Sequence, residues 1–179
     1  ALRKGLIGAR PPEQPTAAQY DFMAQRLREK LPAGAFQITA YLPIRRELDP
    51  LPLIERLCAF PVALPRTPRE PGPLDFRLWS RGDTLDEGLF KTLEPCDTAP
   101  KLEAQSVVVL LPLVGFDRSL FRLGYGGGFY DRTLDVFRQQ GRSVVAIGLA
   151  YDSQRTPERL PVELTDEVLD AVITPTTVY

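Results

Sequence analysis

Three consecutive stretches decide the fold class: Val107-Val-Val-Leu-Leu111, then Arg122-Leu-Gly-Tyr-Gly-Gly-Gly-Phe-Tyr-Asp-Arg132, then Ser143-Val-Val-Ala-Ile-Gly-Leu-Ala150. The first and third are continuous apolar runs, the pattern of strands covered on both faces. Between them, Phe129 to Gln140 carries Tyr130, Leu134 and Phe137 on one helical stripe, and Gly141 ends it. Strand, helix, strand in this order describes a parallel unit of an α/β layer fold. Val168 to Ile173 is expected to add a third buried strand.

Working outward, Thr16-Ala-Ala-Gln19 is a capping box. Tyr20, Met23, Ala24, Leu27 and Leu31 follow at helical spacing, and Pro32 marks the stop. The first ten residues suit a short helix interrupted by Pro11-Pro12. Phe36 to Tyr41 alternates like a strand, Pro50 to Phe60 suits a helix, and Leu74 to Trp79 alternates again. Val62 to Leu64 is a short apolar run inside the proline-rich segment Pro61–Pro73, which is expected to be an exposed loop with Arg66 and Arg69. The expectation is a single domain over residues 1–179, layered, with a mainly parallel central sheet flanked by helices. No internal repeat is present.

Composition narrows the function classes. A net charge of −1 and pI of about 5.6 give the whole chain no electrostatic footprint for nucleic acid. No apolar run is long enough to span a bilayer, and the first residues lack a signal-peptide core. A cytoplasmic monomer with neither nucleic-acid nor membrane partners is expected. The chain begins at Ala1 rather than Met, so further native residues are expected before it. Cys58 and Cys96 lie in no CxxC pair and are expected to be buried or idle thiols. The chain has no histidine, which excludes Ser-His-Asp and Cys-His catalysis and any imidazole base. Carboxylates, arginines, tyrosines, backbone dipoles or a metal must carry the chemistry.

Four of the thirteen glycines fall at Gly124, Gly126, Gly127 and Gly128. Glycine admits positive φ, so successive N–H groups can turn toward one point and bind an anion, phosphate above all. Arg122 and Arg132 can add forked charge, and Asp131 can hold a divalent cation. The simplest reading is a nucleoside-triphosphate and Mg²⁺ site; a tight loop without a ligand is the other. The run fits neither common fingerprint. Phe129-Tyr130 stands where a P-loop needs Lys-Ser/Thr, and Phe129 stands where a dinucleotide motif needs its third glycine.

Leu111-Pro-Leu-Val114, Phe116-Asp117 and Arg122–Arg132 together resemble the signature of the 5-formyltetrahydrofolate cyclo-ligase, or methenyltetrahydrofolate synthetase, family. Other pieces fall in the same order: Leu2-Arg3, Tyr41-Leu-Pro43 with Glu47-Leu-Asp49, Pro65-Arg66, Phe90 to Pro95, Gly148 to Gln154, and Leu160 to Asp166. The resemblance spans nearly the whole chain. It implies ATP as co-substrate, Mg²⁺, and 5-formyltetrahydrofolate. ATP phosphorylates the formyl oxygen, N10 attacks the activated carbon, and phosphate leaves, giving 5,10-methenyltetrahydrofolate and ADP. Phosphoryl transfer rests on positioning and charge neutralisation, so a chain without histidine suffices.

The resemblance also implies roles. Backbone N–H groups of Arg122, Leu123, Gly124, Tyr125, Gly126, Gly127, Gly128, Phe129 and Tyr130 cradle ATP phosphates, with the Arg122 side chain offsetting their charge. Arg3 touches ATP. Asp131 and Asp166 hold Mg²⁺. Glu47 binds the folate, Leu42 is a nearby apolar wall, and Phe90 lies against the pterin. Four features depart from the family pattern. Thr165 stands where histidine is common, Leu120 where a turn glycine is frequent, and Phe90-Lys-Thr-Leu93 replaces a loop with glycine and isoleucine. The lysine that usually precedes Leu-Arg falls before the given sequence. The rival readings are a relative that binds nucleotide and folate with weak or no turnover, and a sugar-phosphate isomerase or acyl-CoA transferase of similar architecture. The latter reactions need no triphosphate loop.

Overall fold

The computed structural model describes residues 2–179. Its helices are α1 (Leu2–Gly8), α2 (Ala17–Arg28), α3 (Leu51–Leu57) and α4 (Phe129–Gln139). Its strands are β1 (Gln37–Thr39), β2 (Val62–Arg66), β3 (Asp75–Trp79), β4 (Leu85–Glu87), β5 (Leu93–Pro95), β6 (Ser106–Pro112), β7 (Gly115–Phe116), β8 (Arg122–Leu123), β9 (Ser143–Leu149) and β10 (Ala171–Ile173). A six-stranded sheet in the order β10-β9-β6-β1-β2-β3 is parallel except for β3. β4–β5 and β7–β8 are separate antiparallel pairs. The α/β layer fold with a mainly parallel sheet is therefore the observed one.

β6 shows why both faces are covered. Val108 and Leu110 join one cluster with Met23, Ala24 and Leu27 of α2 and Leu53 and Ile54 of α3. Val107, Val109 and Leu111 join the other with Leu134 and Phe137 of α4. All five β6 side chains have no exposed surface, so a continuous apolar run was required rather than an alternating one. α2 begins at the expected capping box, with Thr16 and Gln19 bonded reciprocally.

Two strand expectations change. Val62–Arg66 lies in the sheet, not in an exposed loop; Val62, Ala63 and Leu64 are buried. Pro65 is tolerated because pairing with β1 ends at Ala63, whose carbonyl accepts Ala40 N–H at 2.9 Å. Pro65 points its missing N–H to that same side, two residues on, so no ladder bond is lost. The strand expected from Val168 starts only at Ala171. Leu169 N–H is taken by Leu120 O at 3.1 Å, which draws that segment toward the β7–β8 hairpin. Cys58 and Cys96 are free, and Cys58 is exposed at the end of α3. Among the described residues no helix is long and apolar enough to cross a membrane.

The chain leaves β1 toward β2 on one side, while β6 enters the sheet on the other side of β1. The connections after β1 and β6 thus diverge at their carboxyl ends, the crevice where open α/β sheets hold ligands. Residues 40–50 follow β1, and residues 113–128 follow β6.

Candidate active site

The β7–β8 hairpin delivers the glycine loop. Asp117, buried, fixes its turn by accepting Ser119 N–H at 2.8 Å and Phe121 N–H at 3.2 Å on one oxygen and Leu160 N–H at 2.9 Å on the other. Leu120 in that turn takes φ +62° without being glycine, a costly conformation held by its neighbours. Gly126 (φ +102°) and Gly128 (φ +63°) supply the positive φ expected of the run. A Cβ on Gly127 would meet the Phe129 ring at 2.7 Å. α4 starts directly at Phe129 with no side-chain cap on its first-turn N–H groups. An uncapped helix start behind a glycine turn is an anion site by geometry and dipole. Arg3, from α1, lies at this loop: its Nε donates to Gly124 O at 3.0 Å.

Asp131 sits in the first turn of α4, and its Oδ1 is 2.7 Å from Arg122 Nη2. The same oxygen accepts Glu167 N–H at 3.1 Å. Arg122 also donates to Glu167 O at 3.2 Å, and its side chain is only 6% exposed. This guanidinium, expected beside the phosphates, braces Asp131, at the start of α4, and Glu167. Asp166 is close enough that its charge, after burial, adds to the upward shift of the Asp131 carboxyl; Arg122 opposes both. Asp166 Oδ2 accepts Glu163 N–H at 2.8 Å. The contacts named run through Oδ1 of Asp131 and Oδ2 of Asp166, which leaves one oxygen of each for a cation. No cluster of three or more His, Cys, Asp or Glu side chains is placed to hold a metal among the described residues. Two carboxylates with phosphate and water fit Mg²⁺, which keeps several waters and rarely uses an all-protein cage.

Across the crevice, Glu47 is 3% exposed. Its Oε2 accepts Ile44 N–H at 2.9 Å, whereas Oε1 is buried without a hydrogen-bond donor. Arg45 and Arg46, with φ of +48° and +60°, make the tight turn that returns Glu47 to Ile44. Burial pushes the Glu47 carboxyl up; the Ile44 amide, Arg10, Tyr125 and Arg45 pull it back. Leu42, on the same segment, packs half-buried against the core. Phe90 is 63% exposed at the β4–β5 turn, with its ring 6.4 Å from that of Phe129. Glu94, in β5, anchors that hairpin by accepting Thr67 N–H at 2.9 Å.

The structure therefore gathers Arg3, residues 122–131 and Asp166 on one side of the crevice and Leu42 and Glu47 on the other, with Phe90 against the glycine loop's Phe129. The family model for the 5-formyltetrahydrofolate cyclo-ligase family matches residues 2–175. The chain belongs to that family. Its members are ATP-dependent ligases. The cyclo-ligase of Escherichia coli K12 is 38% identical over 155 residues, covering 81% of each chain. The Mycolicibacterium smegmatis cyclo-ligase is 32% identical over 148 residues, covering 77% of this chain and 73% of its own. The Aquifex aeolicus 5,10-methenyltetrahydrofolate synthetase superposes with a TM-score of 0.68 at 25% identity, covering 99% of this chain and 89% of its own.

Sequence reasoning found the cyclo-ligase glycine loop but missed Arg10 and the Tyr125 side chain. Arg10 is 2% exposed and donates to Arg45 O, Leu113 O and the Tyr125 hydroxyl. Nothing local in Ala9-Arg10-Pro11 marks a buried cation. Tyr125 was expected to contribute only its backbone, yet its hydroxyl reaches Arg10 Nη1 at 3.0 Å.

Proposed function

We propose that this chain binds ATP phosphates on the 122–130 loop, with Arg3 beside them, and folate against Glu47, Leu42 and Phe90. The conversion of 5-formyltetrahydrofolate to 5,10-methenyltetrahydrofolate is the activity of its family, and the site supports it residue by residue. The observation that carries the reading is the meeting of an anion-binding loop and a buried carboxylate at the carboxyl ends of β1 and β6. One substrate needs charge neutralisation and the other needs an acceptor for ring N–H groups.

The uncapped N–H groups of α4 and the glycine loop orient the triphosphate. Glu47, with Oε1 lacking a donor, accepts N–H bonds from the pterin edge and fixes the formyl oxygen toward the γ-phosphate. In-line placement converts a bimolecular transfer into an effectively unimolecular one. Asp131 and Asp166 would hold Mg²⁺, which would draw charge from the phosphate oxygens during transfer. Arg122 opposes the upward push of burial on the Asp131 carboxyl and orients it. Transfer of the γ-phosphoryl group to the formyl oxygen releases ADP. Attack of N10 on the activated carbon, with loss of the N10 proton to solvent, then expels that oxygen as phosphate.

The test is direct. Purified protein with ATP, Mg²⁺ and 5-formyltetrahydrofolate should form the methenyl chromophore and ADP together, and omission of ATP or of metal should abolish both. Titrating ATP alone separates this reading from a relative that binds without turnover: heat of binding with no product would favour the latter. ADP release without folate would contradict both.

A further inference from the structure

Arg10 heads the largest fully buried side chains. A buried guanidinium loses hydration that its partners only partly return, and apolar residues of similar volume commonly serve a core as well or better. Stability alone therefore gives little reason for a cation here. Its contacts suggest another. Nη1 donates to Arg45 O at 2.8 Å and to the Tyr125 hydroxyl at 3.0 Å, and Nη2 donates to Leu113 O at 3.0 Å. Arg45 lies on the connection after β1, Leu113 on the connection after β6, and Tyr125 in the glycine loop. One side chain thus ties together the three segments that form the two halves of the crevice.

The set is not fully closed. Arg10 Nη2 stands 3.9 Å from Glu47 Oε1, an ion-pair distance but too long for a hydrogen bond. Arg10 Nε and Glu47 Oε1 are both buried without hydrogen-bond partners. Tyr125 completes the chain of contacts. Arg10 takes a lone pair of its hydroxyl, so the hydroxyl's one proton is left for an acceptor. Arg10 thus stands between the Tyr125 hydroxyl and the Glu47 carboxylate. The Tyr125 ring is also held by Arg45, whose guanidinium carbon is 5.1 Å from the ring centroid.

We propose that Arg10, acting with Tyr125, is a positioning residue that makes occupation of the glycine loop and occupation of Glu47 interdependent. This rests on the reading of Glu47 as the folate-binding acid. Phosphate settling on residues 124–128 fixes Tyr125. Tyr125 then fixes Arg10, whose guanidinium faces Glu47 Oε1, so Glu47 is set for the folate before the folate arrives. By linkage the folate must favour nucleotide binding by the same factor.

Calorimetry on the full chain tests this. 5-Formyltetrahydrofolate is titrated with and without a saturating non-hydrolysable ATP analogue and Mg²⁺. In the wild-type protein the analogue should tighten folate binding at least about fivefold, the lower end of ordinary coupling. In Tyr125→Phe, which keeps the ring and removes only the hydroxyl, the factor should fall below about twofold. Arg10→Lys, which keeps charge but loses the fork, should lower it too, with thermal melts verifying that each variant is folded. A purely structural role would lower the melting temperature and leave the factor intact. Coupling absent in the wild-type protein, or unchanged in folded Tyr125→Phe, overturns the proposal. Glu47→Gln distinguishes the underlying reading: if it leaves folate affinity unchanged, the folate-site assignment fails and takes the proposal with it. If Glu47→Gln weakens folate binding while Tyr125→Phe keeps full coupling, only the positioning role fails.

Discussion

Arg122 and Asp131 form a close pair, Nη2 to Oδ1 at 2.7 Å, with side chains 6% and 20% exposed. The pair joins β8 to the first turn of α4, so it clamps the two ends of the glycine loop between them. It also gives Asp131 a partner that Asp166 lacks: a largely buried arginine bound to one of its oxygens.

Asp131→Asn and Asp166→Asn should therefore behave alike in catalysis and differently in stability. Each should lower kcat by two orders of magnitude or more, about 3 kcal/mol of transition-state stabilisation. The double variant should lose much less than the sum, because both serve one ion. Asp131→Asn leaves Arg122 without its counter-charge and should lower stability by about 1–2 kcal/mol, less than a fully buried pair because Asp131 is partly wet. Its melting temperature should fall by several degrees while that of Asp166→Asn stays near wild type. Full activity of Asp166→Asn at limiting Mg²⁺ would remove Asp166 from the metal site.

Glu47→Gln should raise KM for 5-formyltetrahydrofolate about tenfold, or about 1.4 kcal/mol, and leave KM for ATP nearly unchanged. Steady-state kinetics with each substrate varied in turn decides it. Equal rises in both would assign Glu47 a structural role.

The same residue sets an acid limb. Its carboxyl is raised above the usual 4.5 by burial, although the Ile44 amide, Arg10, Tyr125 and Arg45 lower it. Tyr41 and Tyr130 also feel its charge, and both stay neutral because burial raises them. As pH falls, Glu47 takes its proton earlier than a solvated carboxylate and stops accepting N–H bonds. KM for the folate should rise as pH drops through a midpoint above 4.5, with KM for ATP not following. Arg10→Met removes one lowering cause, so the limb should move to higher pH. The linked stability has the opposite sense. The folded state holds this proton more tightly than the unfolded chain, so the group's contribution falls as pH rises from 4.5 toward the raised value. A limb in Arg10→Met shifted to lower pH would contradict the assignment of causes.

Arg3 is exposed, and its contact with Gly124 O places its charge beside the loop. Arg3→Ala should raise KM for ATP about threefold to tenfold and leave KM for the folate unchanged. The effect should shrink with added salt, since exposed charges are screened over about a nanometre at physiological ionic strength. A salt-independent effect would point to lost packing instead.

Gly126, at φ +102°, sits in a conformation that L side chains rarely adopt. Gly126→Ala should strain the loop and raise KM for ATP by an order of magnitude or more, while circular dichroism shows the sheet intact. Gly124→Ala, with open space around its Cβ and no positive φ, should do much less.

Sequence alone determined the parts whose cause is local. Val107–Leu111 and Val144–Ala150 had to be strands largely covered on both faces because their side chains are apolar throughout. Phe129–Gln140 had to be a helix because its apolar residues repeat every three or four positions. The glycine run had to be a special turn because its backbone requirement is met by residue type, and the match to one family followed from that run with its flanking blocks. Tertiary structure decided what depends on distant partners. Val62–Arg66 became a strand because β1 and β3 offered partners on both sides, which outweighed its prolines. Leu120 took positive φ because Asp117 and Leu169 hold the turn. Arg122 paired with Asp131, Arg10 became buried among loop carbonyls, and Tyr125 turned its hydroxyl to Arg10, because each answers charges and carbonyls brought near only by folding. A side chain's local sequence does not encode which acceptors will surround it, so these roles become visible only when the sheet is assembled.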